Sequence, residues 1–125
     1  KLTPDGRYLV SASADKTIKI IDIQEKKQVY SFNAHPRWIK CIDVSSDGKY
    51  LVSCSDDRSI KIFDFKTKQL VHWFENAHDG ILFLTLHSLT SRLDFINTIA
   101  ISQDCRFIVS GSSDRSIKVF DIQTK

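Results

Sequence analysis

Three near-copies of one segment constrain this chain more than any other feature. The central copy runs Ser46-Asp47-Gly48-Lys49-Tyr50-Leu51-Val52-Ser53-Cys54-Ser55-Asp56-Asp57-Arg58-Ser59-Ile60-Lys61-Ile62-Phe63-Asp64. An upstream copy extends from Pro4 to Asp22, and a downstream copy from Gln103 to Asp121. The closing aspartates, Asp22, Asp64 and Asp121, stand 42 and 57 residues apart. Periods of this size belong to stacked supersecondary units, each of which buries its apolar face only against a neighbour. The longer second interval holds an insertion.

Each copy reads as strand, turn, strand. Thr3-Pro4-Asp5-Gly6 and Ser46-Asp47-Gly48 are tight connections, because Asp and Gly tolerate the positive φ that such turns require. Tyr8 to Ser13 and Thr17 to Ile23 are rich in strand formers around the polar turn Ala14-Asp15-Lys16. Gln28 to Phe32 continues the pattern. From Trp38 to Ser45, alternation puts Ile39 and Cys41 on one face and Ile42 and Val44 on the other, as in a sheet covered on both sides. Strands at Tyr50 to Ser55, Ser59 to Phe65 and Gln69 to Phe74 complete a unit of four short antiparallel strands. Asn76-Ala77-His78 then echoes Asn33-Ala34-His35, and Ile96 to Ser102 matches the strand that follows. His35 precedes Asp47 by 12 residues and His78 precedes Asp104 by 26, which leaves 14 extra residues, conspicuously apolar, between Asp79 and Phe95.

Composition narrows the function classes. The net charge of +3 comes from Lys/Arg and Asp/Glu interleaved along the chain, which is ordinary solvated surface rather than the basic stripe of a nucleic-acid binder. Cys41, Cys54 and Cys105 form no C-x-x-C pair and leave one thiol over in any pairing, which points to reduced cysteines and an intracellular, cytoplasmic or nuclear setting. Cys54 stands where Ala12 and Gly111 stand in the other copies, the place of a small buried filler. No apolar run reaches the roughly 18 residues of a membrane span, and no signal pattern opens the chain.

The triple S-x-S-x-D-[KR]-[ST]-I-K-[IV]-x-D pattern, the Asp-Gly turns and the spaced histidines resemble the WD-repeat (WD40) β-propeller family. The resemblance implies an all-β fold of antiparallel four-stranded blades in a partial propeller of about two and a half blades. Residues 1–34 would supply three strands of one blade, 35–77 a complete blade, and 78–125 three strands of another, with the insertion near 79–95. Known propellers close with roughly four to eight blades. The resemblance therefore implies contact with the remainder of a longer propeller or with another copy of the chain. The family's Trp-Asp reads Ile21-Asp22, Phe63-Asp64 and Phe120-Asp121 here, and its Gly-His reads Ala34-His35 and Ala77-His78. Neither Ile nor Phe offers the indole N–H. The family's hydrogen-bond network reduces to His35, Ser53 or Ser55, and Asp57 in one blade, and His78, Ser110 or Ser112, and Asp114 in the next.

A Ser, a His and an Asp brought together also describe a hydrolase set. Here the set occurs twice at repeat spacing, which suits a device holding each blade together, and no G-x-S-x-G elbow accompanies it. His35, His72, His78 and His87 lack metal-ligand spacing, and no glycine-rich phosphate loop is present, so neither metal nor cofactor is expected. The remaining expectation is a non-catalytic scaffold for protein or peptide partners, presented on the loops. The alternatives are a propeller hydrolase, or nucleic-acid or phospholipid binding by a basic rim. The candidate contact residues are Arg37, Trp38, Asp56, Arg58, Ile81, Phe83, Ser113 and Arg115. Arg and Trp are enriched in interface hot spots, although Trp38 also fits a residue packed under its own loop. The insertion fits either a segment folded over the rim or an exposed docking patch. Lys19, Lys61 and Lys118 recur at one strand position, where an alkyl stem along the sheet with its head in water suffices.

Overall fold

The computed structural model describes residues 1–78 and 95–124, and every helix or strand among them is a strand. In chain order these are β1 (Tyr8–Ala12), β2 (Thr17–Asp22), β3 (Lys27–Asn33), β4 (Ile39–Val44), β5 (Tyr50–Ser55), β6 (Ile60–Asp64), β7 (Leu70–Phe74), β8 (Ile96–Ile101), β9 (Phe107–Ser112) and β10 (Ile117–Asp121). They form three antiparallel sheets, β1-β2-β3, β4-β5-β6-β7 and β8-β9-β10. The all-β expectation holds. Most of the insertion, including Ile81 and Phe83, lies outside the described residues.

Local chemistry explains the repeat. Gly6 and Gly48 sit at φ 69° and 71°, the left-handed region that glycine enters without cost. Asp47 Oδ1 accepts hydrogen bonds from Ser45 Oγ at 2.6 Å and Lys49 N at 3.0 Å, which closes the turn. Cys105 holds the same place in the third copy at φ 58°, where a Cβ costs about 1 kcal/mol. The recurrent closing aspartate caps the next turn. Asp64 Oδ1 accepts the Thr67 N–H at 2.7 Å, Asp22 Oδ1 those of Gln24 and Glu25, and Asp121 Oδ1 those of Gln123 and Thr124.

One register differs from simple alternation. In β4, Ile39 pairs with Ser55 and Cys41 with Cys54, so Lys40 is the extra residue of a bulge. The bulge shifts the phase by one. Ile39 thereby joins Ile42 and Val44 against the first sheet, while Cys41 turns toward the third. The pairing of Ile39 with Cys41 on one face is corrected accordingly. β8 repeats the device, with Ile96 opposite Ser112 and Thr98 opposite Gly111.

Two cores lie between the sheets. Val10, Ile18 and Ile20 of the first sheet meet Ile39, Ile42, Leu51 and Phe63 of the second. The opposite face of the second sheet, Val52, Cys54, Ile60 and Ile62, meets Ile96, Ile99 and Ile108 of the third. Each fully buried aliphatic side chain contributes about 1.5–3 kcal/mol. Phe63 stands edge-on to Phe32 with ring centroids 5.2 Å apart, so the place of the missing Trp is filled by packing. Asp43 Oδ2 accepts the Ile101 N–H at 2.9 Å and ties β4 to β8. Lys61 departs from the solvated-head expectation, because its Nζ donates to the Ala34 carbonyl at 2.8 Å. Among the described residues nothing covers the far face of the third sheet, with Ile117 76% and Val119 63% exposed.

Candidate functional site

The two His/Ser/Asp sets assemble as closed clasps. His35 stands just past β3, Ser53 within β5 and Asp57 in the β5–β6 turn. His35 Nδ1 lies 2.8 Å from Asp57 Oδ2, and Nε2 lies 2.8 Å from Ser53 Oγ. With the Asp57 carboxylate accepting, Nδ1 carries the hydrogen of that bond. His78, Ser110 and Asp114 repeat this at 2.8 and 2.7 Å. The choice left open between serines thus falls on Ser53 and Ser110. Ser55 and Ser112 sit two residues closer to the aspartate and accept the N–H of Asp57 and Asp114 instead.

Ser59 and Ser116 are members that the spacing did not single out. Their hydroxyls donate to Asp57 Oδ1 and Asp114 Oδ1, each at 2.7 Å, beside the imidazole. A signal existed, since Thr17, Ser59 and Ser116 recur two residues after Asp15, Asp57 and Asp114. Burial pushes the Asp57 carboxyl up, but hydrogen bonds from His35 and Ser59 outweigh it and bring it down to about 2. Asp114 is likewise raised by burial and lowered more strongly by Ser116 and His78, again to about 2. Both imidazoles, Ser53 and Ser110 are wholly buried, so no substrate carbonyl reaches either hydroxyl. Burial likewise pushes the Cys54 thiol up to about 12, which leaves it a packed filler.

The loop side is open. Pro36 and Arg37 are exposed and Trp38 is 56% exposed, which favours the presented reading of this indole over the packed one. Together with Lys16, Lys40, Asp56 and Phe95 they line a groove of about 440 Å³. Asp56 lines the groove from beneath and is only 8% exposed. Its N–H donates to the Trp38 carbonyl at 2.9 Å, and its carboxylate turns under Lys40, 3.4 Å from Nζ. Ser113 approaches the same region, donating its N–H to the Phe95 carbonyl and accepting from Asn97 Nδ2 at its hydroxyl. Arg58 and Arg115 are exposed at left-handed turn positions and do not line the groove. Lys16, Lys40 and Phe95 were not among the candidates. Lys40 enters because the bulge re-aims it.

A second groove of about 420 Å³ runs along the flank, between Pro36 and Trp73. Among the described residues no cluster of His, Cys, Asp and Glu is arranged to hold a metal ion, and no helix is long and apolar enough to cross a membrane.

The family described as "WD domain, G-beta repeat" matches residues 1–22, 26–64 and 83–121. The chain belongs to the WD-repeat family. The three sheets are therefore propeller blades, whole or partial, and the His/Ser/Asp sets are internal ties of WD-repeat blades. His78 precedes the third matched stretch yet reaches Asp114, so the last clasp draws its imidazole from outside that stretch. All 125 residues also align at 31% identity with the "WD repeat domain-containing protein 83 homolog" of Dictyostelium discoideum. The chain spans 34% of that relative's length.

Proposed function

We propose that this WD-repeat chain is part of a non-catalytic scaffold that receives a protein or peptide partner on its loop face. The observation that carries the reading is the exposed Trp38 beside Arg37 over the groove of about 440 Å³. Large side chains held proud of a rigid β scaffold are the usual anchors of protein recognition. Burial of both clasp serines speaks against a hydrolase, and the thiols of Cys41, Cys54 and Cys105, all free, suit an intracellular setting. The open face of the third blade, with Val109, Ile117 and Val119, takes the inner face of a further blade in this reading. Its support is the second blade, where Val52, Ile60 and Ile62 are covered in that way.

The test is Trp38→Ala and Arg37→Glu in the full-length protein, with affinity-purified partners quantified against wild type. The reading requires loss of at least one partner with the melting temperature unchanged. An unchanged partner set, or loss only on Trp73→Ala in the flank groove, contradicts it.

A further inference from the structure

We propose that Trp38, Phe95 and Asp56 form a cage for a cation, plugged by the chain's own Lys40, and that an arginine side chain of a protein partner enters it by displacing that lysine. This rests on the loop-face reading above and adds the chemistry of the group received. Lys40 Nζ lies 5.7 Å from the Trp38 ring centroid and 5.4 Å from that of Phe95. Both fall inside the roughly 6 Å within which an aromatic face attracts a cation. The third wall is a carboxylate.

That carboxylate is poorly served by its present neighbour. Asp56 is more than nine-tenths buried, and its Oδ1 has no hydrogen-bond partner. Lys40 Nζ stands 3.4 Å away, close enough for ion pairing but beyond the roughly 2.7–3.2 Å of a good N–H···O bond. A buried acceptor left without a donor is costly. Guanidinium supplies what ammonium does not, namely a planar fork of N–H donors that stacks on aromatic faces and is weakly hydrated. An arginine entering along the groove stacks against the rings and donates to Asp56 Oδ1.

Lys40 is placed to yield. It is the extra residue of the β4 bulge, and its side chain is one-third exposed, so it leaves toward water without breaking a strand pair. Lys16 and Arg37 also line the groove and oppose an incoming cation, but both are exposed and salt screens them, whereas Asp56 is buried. An anionic partner would instead recruit Lys40. The two classes therefore respond in opposite directions to its removal.

The experiment titrates the full-length protein with acetyl-Gly-Arg-Gly-amide and, separately, acetyl-Gly-Glu-Gly-amide, following the Trp38 indole resonance by NMR. The arginine peptide is expected to shift that resonance saturably. Lys40→Ala should tighten its binding about threefold to tenfold, and Asp56→Asn, which keeps the side-chain shape, should weaken it about tenfold or more. Lys40→Gln guards against a folding defect in the alanine variant and should tighten binding in the same sense. Saturable binding of the glutamate peptide alone, weakened by Lys40→Ala, overturns the cage and leaves loop-face recognition standing. No response to either peptide overturns the cage, while the loop-face reading stands or falls on the partner loss in Trp38→Ala and Arg37→Glu. Arginine binding that Lys40→Ala leaves unchanged or weakens overturns the plug.

Discussion

Ile60 and Ile62 of the second blade occupy the strand positions of Ile117 and Val119 in the third, yet the first pair is fully buried and the second pair exposed. The two blades share their turns, their clasp and their strand pattern. What differs is the neighbour: β8 covers the second blade, and nothing among the described residues covers the third. A WD-repeat blade is thus tied internally by its own hydrogen bonds, but its apolar faces gain their stabilisation only from the next blade.

The largest test of this contrast is a pair of equivalent truncations. Ile62→Ala should destabilise the 125-residue chain by about 3 kcal/mol, while Val119→Ala should change it by about 0.5 kcal/mol or less. Urea unfolding measures both. Equal costs in this chain would break the contrast. A rise in the cost of Val119→Ala when a further blade is present would sharpen it.

The clasps, by contrast, should behave alike in both blades. His35→Ala and His78→Ala each leave a buried serine and an aspartate without their shared partner, for an expected loss of about 2 kcal/mol. Asp57 adds a pH dependence. Its folded pKa of about 2 lies below the unfolded value of 3.8, so its contribution is complete above about pH 4 and fades as pH falls through 2. Unfolding free energy followed from pH 5 to pH 2 should fall less steeply in Asp57→Asn than in wild type. A slope unchanged by the substitution would remove Asp57 from the account.

The smallest effect belongs to the turns. Cys105→Gly gives the third blade the residue that the second has at Gly48, and should stabilise by about 1 kcal/mol. Gly48→Cys should cost a similar amount. A destabilising Cys105→Gly would mean that the contact between Cys105 Sγ and Ser46 Oγ, at 3.2 Å, outweighs backbone strain.

Much of this was legible in the chain itself. Turn residues and apolar runs place the strands because each copy repeats the same local solution, and the Asp22, Asp64 and Asp121 repeat marks a cap with one job. Alternation failed at Lys40, because a bulge adds one residue and leaves no compositional mark. It also left Ser53 and Ser55 undivided, since both side chains leave the same face and only the distance to His35 separates them. The groove was half visible. Arg37 and Trp38 follow from loop placement, whereas Lys40 reaches it through the bulge and Phe95 through packing between blades, which no single repeat encodes.

The most direct measurement separates the clasp from the loop face in one pair of variants of the full-length protein. Asp57→Asn and Trp38→Ala are compared for melting temperature and for partner affinity of the folded fraction. The account predicts that Asp57→Asn lowers the melting temperature and leaves affinity intact, and that Trp38→Ala abolishes affinity at an unchanged melting temperature. The reverse pattern, with binding lost through Asp57 and retained without Trp38, would contradict it.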